Sequence, residues 1–194
     1  WTGSHPAITA PIIGARSVEQ LRASLDSVKI DMTPALRAEI AAQWSASYGG
    51  SIRPEQVAIT QGCNQAFTAA LATLAGPGDE VILPAYTYCA TANIVKHGGA
   101  KPVLVDVLDD FTIDPEAVRQ AMNPRTKCII PVDIGGLPAR VAQIVKVAED
   151  SCAWFSPAVN LRVGGSNPQM RLGRALVLSD AAHSFGARIG GEHR

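Results

Sequence analysis

The sequence lacks most features that would point outward to a partner or a membrane. Seventeen basic side chains meet seventeen acidic ones, for a formal net charge of +0. That balance leaves no electrostatic footprint for a nucleic acid or an anionic membrane surface. No apolar run is long enough to span a bilayer, and no signal peptide is recognisable. Cysteine is scarce and scattered: Cys63, Cys89, Cys128 and Cys152 form no C-x-x-C pair. This pattern excludes a zinc ribbon or disulfide framework and is read as four small buried or half-buried thiols in a reducing cytoplasm. There is no internal repeat, and no methionine at Trp1, which suggests a fragment or a processed product. What is present is ordinary for a globular protein, 47% hydrophobic and 18% charged over 194 residues. That length suffices for one domain with a real core.

Along the chain, Ala7 to Gly14 reads as a short strand broken by Pro11. Ser17-Val18-Glu19-Gln20 has the form of a capping box opening a helix over 18–28. Thr33-Pro34 starts a second helix, with Leu36, Ile40 and Trp44 on one face and Tyr48-Gly49-Gly50 as its stop. From Arg53 the rhythm is strand, turn, helix, repeated. Strands are expected at 57–60, 80–83, 102–107, 127–132 and 175–178, and helices at 65–75, 87–97, after Asp114-Pro115, and at 138–149. Ser151 to Arg174 lacks periodicity and reads as a surface excursion. The alternation predicts an α/β fold, a three-layer α/β/α sandwich with a mostly parallel sheet.

Three stretches carry candidate chemistry. Gly62-Cys63-Asn64 turns from a strand into a helix, where free N–H groups and the helix dipole suit an anion. Tyr86 and Tyr88 follow the strand ending at Leu83-Pro84, and an aromatic there can stack on a flat ring. Asp180 and His183 follow the apolar run Ala175 to Leu178, and ligands of open α/β sheets sit beyond strand carboxyl ends. A carboxylate buried at such a tip needs a partner, and one facing a pyridine-type nitrogen keeps that ring protonated as an electron sink. Each stretch also has a plain structural reading: turn geometry, core or surface tyrosines, and a turn cap beside a core histidine.

Together these stretches resemble fold-type I pyridoxal-phosphate (PLP) enzymes, the aspartate aminotransferase superfamily. RPEQVAITQGCNQAFTAALATLAGPGDEVILP, within 37–84, looks like the class I/II aminotransferases. PAYTYCATANIVKHGGAKPVLVDV, PRTKCIIPVDIGG and LGRALVLSDAAHSFGA, within 84–187, resemble the DegT/DnrJ/EryC1/StrS sugar aminotransferases. The resemblance implies that Gly62, Cys63 and Asn64 hold the PLP phosphate through backbone N–H groups. It implies that Tyr88 stacks on the pyridine ring, that Asp180 pairs with the ring nitrogen and that His183 meets the ring hydroxyl. The implied reaction moves an amino group from a donor such as glutamate to a keto-sugar nucleotide, in a cytoplasmic protein that works as a homodimer.

Two departures qualify this. The family's Schiff-base lysine should follow Asp180 after a further strand, yet 181–194 contains no lysine. Lys29, Lys96, Lys101, Lys127 and Lys146 all lie upstream in other contexts. No catalytic residue is therefore assigned, PLP is expected to bind non-covalently at best, and the chain alone is expected to be inactive. Ile8 to Thr33, including Gly14-Ala15-Arg16, instead resembles the closing segment of the NADPH-dependent aldo-keto reductases. The expected division is thus a strand–helix segment at 1–33 and a partial PLP-transferase large domain at 34–194. The alternatives are an NADP-linked oxidoreductase fragment or an inactive mosaic.

Overall fold

The structure, a computed structural model, describes residues 33–48, 50–58, 60, 63–159, 167–184, 187–189 and 192–193. Its contacts divide the chain into two compact units, Trp1–Gln61 and Gly62–Arg194. The strand expected at 7–14 and the helix expected at 18–28 lie outside the described residues.

In the first unit the Thr33-Pro34 signal opens α1, Pro34–Tyr48. Thr33 Oγ1 accepts the Leu36 N–H at 3.2 Å, satisfying one of the donors that a helix start leaves unpaired. A single 3₁₀ turn, Pro54–Gln56, follows. The strand expected at 57–60 is not formed: Val57, Ala58 and Thr60 are irregular. A strand exists through a neighbour's hydrogen-bond ladder, and no strand is present among the described residues of this unit to provide one.

The second unit is a parallel sheet with helices on both faces. Strands β1 (Glu80–Pro84), β2 (Lys101–Val105), β3 (Thr126–Ile129) and β4 (Leu176–Val177) are ordered β2-β1-β3-β4. The helices are α2 (Cys63–Ala72), α3 (Cys89–His97), α4 (Pro115–Ala121), α5 (Val141–Asp150) and the short α6 (Gln169–Leu172). Successive strand side chains point to opposite faces, and the core separates accordingly. Val81, Leu83, Cys128 and Ile130 pack with Phe67 and Leu71 of α2 and Ile94 and Val95 of α3. Ile82 and Ile129 pack with Val118 of α4 and Ile144, Val147 and Ala148 of α5. With both faces covered, strands need apolar residues continuously rather than alternately. Val81, Ile82 and Leu83 are all fully buried, each contributing about 1.5–3 kcal/mol.

Several boundaries differ from the sequence reading. The run 175–178 pairs only at Leu176 and Val177, and these are half-buried because β4 ends the described sheet. The stretch 151–174 is less irregular than expected. It holds a 3₁₀ turn at Cys152–Trp154 and helix α6, whose Gln169 is fully buried, donating to the Lys127 carbonyl and accepting from the Ala158 N–H. Arg188–Ile189 and Glu192–His193 form an unexpected antiparallel pair. Cys89 and Cys152 are exposed rather than buried. Cys128 is fully buried, which pushes its thiol up to about 12 and makes it unreactive.

The strand order reverses at β1. The connection from β1 to β2 carries α3 on one face, whereas the return from β2 to β3 carries α4 on the other. Right-handed crossovers in opposite directions place their helices on opposite faces. The loops leaving neighbouring β1 and β3 therefore diverge, and a crevice opens between them at the carboxyl ends of the strands.

Candidate functional site

That crevice holds a cleft of about 160 Å³. Asn64 enters from the first turn of α2, Thr87 and Tyr88 from the loop after β1, Asp133 from the segment after β3, and Asp180 and His183 from the turn after β4. Four of the six residues singled out in the sequence thus line one cavity. Cys63 opens α2, and Gly62 lies outside the described residues.

The electrostatics of the cleft follow from where the helices begin. Both α2 and α3 start at it, and neither has an acidic residue in its first turn. Tyr88 is the N-cap of α3 but makes no side-chain capping bond. Two helix N-termini without acidic residues in their first turns therefore border the same space, an arrangement suited to an anion. Tyr88 is 77% exposed, so its ring is available to a flat ligand. Tyr86 is committed elsewhere, its ring centroid 4.9 Å from that of Phe111. Thr87 and Thr91 join hydroxyls at 3.1 Å behind Tyr88.

Asp180 is placed by its backbone. Its N–H donates to the Pro131 carbonyl at 2.8 Å, and its own carbonyl accepts the Asp133 N–H at 3.0 Å. One carboxylate oxygen accepts the Ala182 N–H at 3.2 Å. The expectation of a buried carboxylate at this tip needs correction, since Asp180 is half-buried. The fully buried one is Asp133, which was missed although IIPVD repeats the pattern of LVLSD: an apolar run ending in aspartate. His183 is exposed at the cleft rather than a core histidine.

No described lysine lines the cleft. Lys127 is buried and its pKa is lowered by desolvation, a property that often marks reactive lysines. It begins β3 at the opposite end of the sheet, where Nζ donates to the Pro124 and Ser156 carbonyls at 2.6 Å each. This lysine is structural. Lys101 pairs with Glu80 and Lys146 with Asp150.

A doubly covered parallel sheet with a strand-end carboxylate, an aromatic and helix N-termini around one crevice defines a ligand-binding α/β domain of the doubly wound class. Residues 11–155 match the DegT/DnrJ/EryC1/StrS aminotransferase family, and the chain belongs to it. The match begins inside the stretch that resembles the aldo-keto reductases, so that resemblance gains no support. The chain is 35% identical over 159 residues to a UDP-N-acetyl-3-dehydro-alpha-D-glucosamine 3-aminotransferase of Acidithiobacillus ferrooxidans, covering 81% of this chain and 35% of that protein. It is 31% identical over 142 residues to the spore coat polysaccharide biosynthesis protein SpsC of Bacillus subtilis, covering 72% and 35%. The chain therefore spans about a third of the length of these curated relatives. Among solved structures it resembles Spr1654 of Streptococcus pneumoniae, described as a sugar aminotransferase. The PMP form superimposes with a TM-score of 0.66 at 28% identity, over 86% of this chain and 40% of that one. The PLP form gives 0.65 at 27%, over 86% and 41%.

Proposed function

We propose that residues 62–194 form the cofactor-binding part of a PLP-dependent sugar aminotransferase. The observation that carries this reading is the meeting of Asn64, Tyr88, Asp180 and His183 in one cleft at the carboxyl end of the sheet. The donor set suits the group: a carboxylate for a pyridinium nitrogen, an imidazole for a ring hydroxyl, an open aromatic face, and helix N-termini for a phosphate. The cleft is smaller than the roughly 300–1,000 Å³ usual for ligand pockets, and Tyr88 and His183 are exposed. These residues thus act as one wall of a site rather than a closed cavity.

When bound, PLP supplies an electron sink for chemistry at the carbon bearing an amino group. This chain's share of that chemistry is positioning and charge. Asp180 would face the ring nitrogen and pair with it. His183 would orient the ring through the neighbouring hydroxyl, Tyr88 would cover one face and exclude water from it, and Gly62, Cys63 and Asn64 would offer N–H groups to the phosphate. Proton movement at the substrate carbon requires a base, and no described lysine is near enough to serve. The 194-residue chain is therefore proposed to bind PLP reversibly without transaminating.

In the whole protein the substrates are proposed to be a keto-sugar nucleotide and a donor such as glutamate, with two copies assembled as a homodimer. A reducing, cytoplasmic setting is consistent with the exposed thiols of Cys89 and Cys152. The test is equilibrium dialysis of PLP against the chain, followed by borohydride treatment. Saturable binding that dialyses away even after borohydride is the expected result. Absence of binding overturns the site, and covalent retention on a lysine overturns the non-covalent reading.

A further inference from the structure

Behind the cleft lies a carboxylate to which the reading above gives no role. Asp133 is fully buried four residues after β3 ends at Ile129. One oxygen accepts the Ala139 N–H at 2.8 Å, and the other accepts the Ser184 hydroxyl. Ser184 adjoins His183 and is 2% exposed. The loop between Asp133 and Ala139 passes close beneath the same turn. Gly136 has φ +89°, and a Cβ built there would lie 3.2 Å from the His183 carbonyl oxygen. The turn that carries Asp180 and His183 is thus tied to the segment after β3 twice, by the Asp180 backbone at its start and by the Ser184 hydroxyl at its end.

We propose that Asp133 and Ser184 are a positioning pair that sets Asp180 and His183 against the cofactor ring. This rests on the assignment of Asp180 to the ring nitrogen. A functional carboxylate must be held within about 0.5 Å of its working position, and a short turn fixed at one end alone can pivot about that end. Both carboxyl oxygens of buried Asp133 are engaged, one by the Ala139 N–H and one by the Ser184 hydroxyl, and breaking such a bond would strand a buried polar group, so Ser184 makes a firm second anchor. The pair also accounts for a buried serine where an apolar residue would fill the same space.

The test compares the affinity of the 194-residue chain for PLP with its affinity for an analogue carrying CH in place of the ring nitrogen. Equilibrium dialysis is run on wild type, Asp180→Ala, Ser184→Ala and Asp133→Asn. Wild type should prefer PLP by about tenfold or more, and Asp180→Ala should bring the ratio near one. Ser184→Ala should lower the ratio several-fold while the analogue's affinity changes little. Asp133→Asn should keep most of it, because its amide still accepts from Ala139 and can donate to Ser184. A merely structural role weakens both ligands alike and preserves the ratio. An unchanged ratio in Ser184→Ala, with a lost one in Asp180→Ala, overturns the positioning pair; an unchanged ratio in both overturns the site assignment itself. Should Ser184→Ala fail to fold by circular dichroism, Ser184→Cys replaces it. The thiol fills the same space but is a weak donor, so an unchanged ratio there overturns the proposal equally.

Discussion

At one end of the sheet Glu80 opens β1 beneath a cage of polar partners. Arg125 donates to it at 2.9 Å and 3.1 Å, Asn123 at 2.8 Å and Lys101 at 3.4 Å. At the other end Asp180 accepts a hydrogen bond from its own turn, with its carboxylate at the cleft. Both are carboxylates at strand ends. The first is saturated by neighbours that hold the edge of the sheet together, whereas the second is fixed in place through its backbone and keeps capacity for a ligand. Burial by itself therefore does not mark a ligand contact: Glu80 and Lys127 are both more deeply buried than Asp180, and their partners are groups of the protein itself.

The sharpest way to break this contrast is to remove each carboxylate. Asp180→Ala should cost about 1.5–3 kcal/mol of PLP binding, roughly a 10- to 100-fold rise in Kd by fluorescence titration, with the unfolding midpoint little changed. Glu80→Ala should do the reverse. It should lower stability in urea by about 1–2 kcal/mol, a moderate loss because Lys101 and Arg125 regain water, and leave PLP affinity intact. Acid titration separates the two ends further. Burial raises the Glu80 pKa, but hydrogen bonds from Asn123, Arg125 and Lys101 outweigh it and leave the carboxyl below its ordinary value. A lowered folded-state pKa stabilises fully above the ordinary carboxylate range and loses that contribution as pH falls through the lowered value. Glu80→Gln should therefore flatten the acid limb of the stability–pH curve, and an unchanged limb would show that other groups set it. Tyr88→Ala should weaken PLP by about 0.5–1.5 kcal/mol through lost stacking. Lys146→Ala, removing an exposed partner of Asp150, should leave the urea unfolding midpoint nearly unchanged.

The sheet and its flanking helices were legible because their signals are local. Asp114-Pro115 caps α4 as its residue types require, the Asp114 carboxylate accepting the Glu116 N–H at 2.8 Å. Phe67, Leu71 and Leu74 bury the stripe that their spacing implies. The failures came where structure depends on partners far along the chain. Residues 57–60 have strand composition but no described neighbour to pair with, and 175–178 yields two paired residues at the end of the sheet. In the candidate site, Asp180, His183, Tyr88 and Asn64 could be singled out because each follows a strand or opens a helix. Asp133 could not be ranked against Asp180, since their sequence contexts are alike and only the fold shows which is sealed and which is open. Ser184 carried no signal, because its role is a hydroxyl meeting a carboxylate 51 positions away.

The reversal of strand order at β1 also bears on how this architecture can change. The crevice between β1 and β3 is a product of chain routing: it opens because the two outgoing loops are sent to opposite sides, whatever side chains they carry. Its lining is drawn from separate loops after β1, β3 and β4 and from the start of α2. Each loop can therefore be exchanged or lengthened without re-threading the sheet. Grafting a loop at 85–88 or 133–139 from a relative would re-line the same opening while leaving the routing of the sheet untouched.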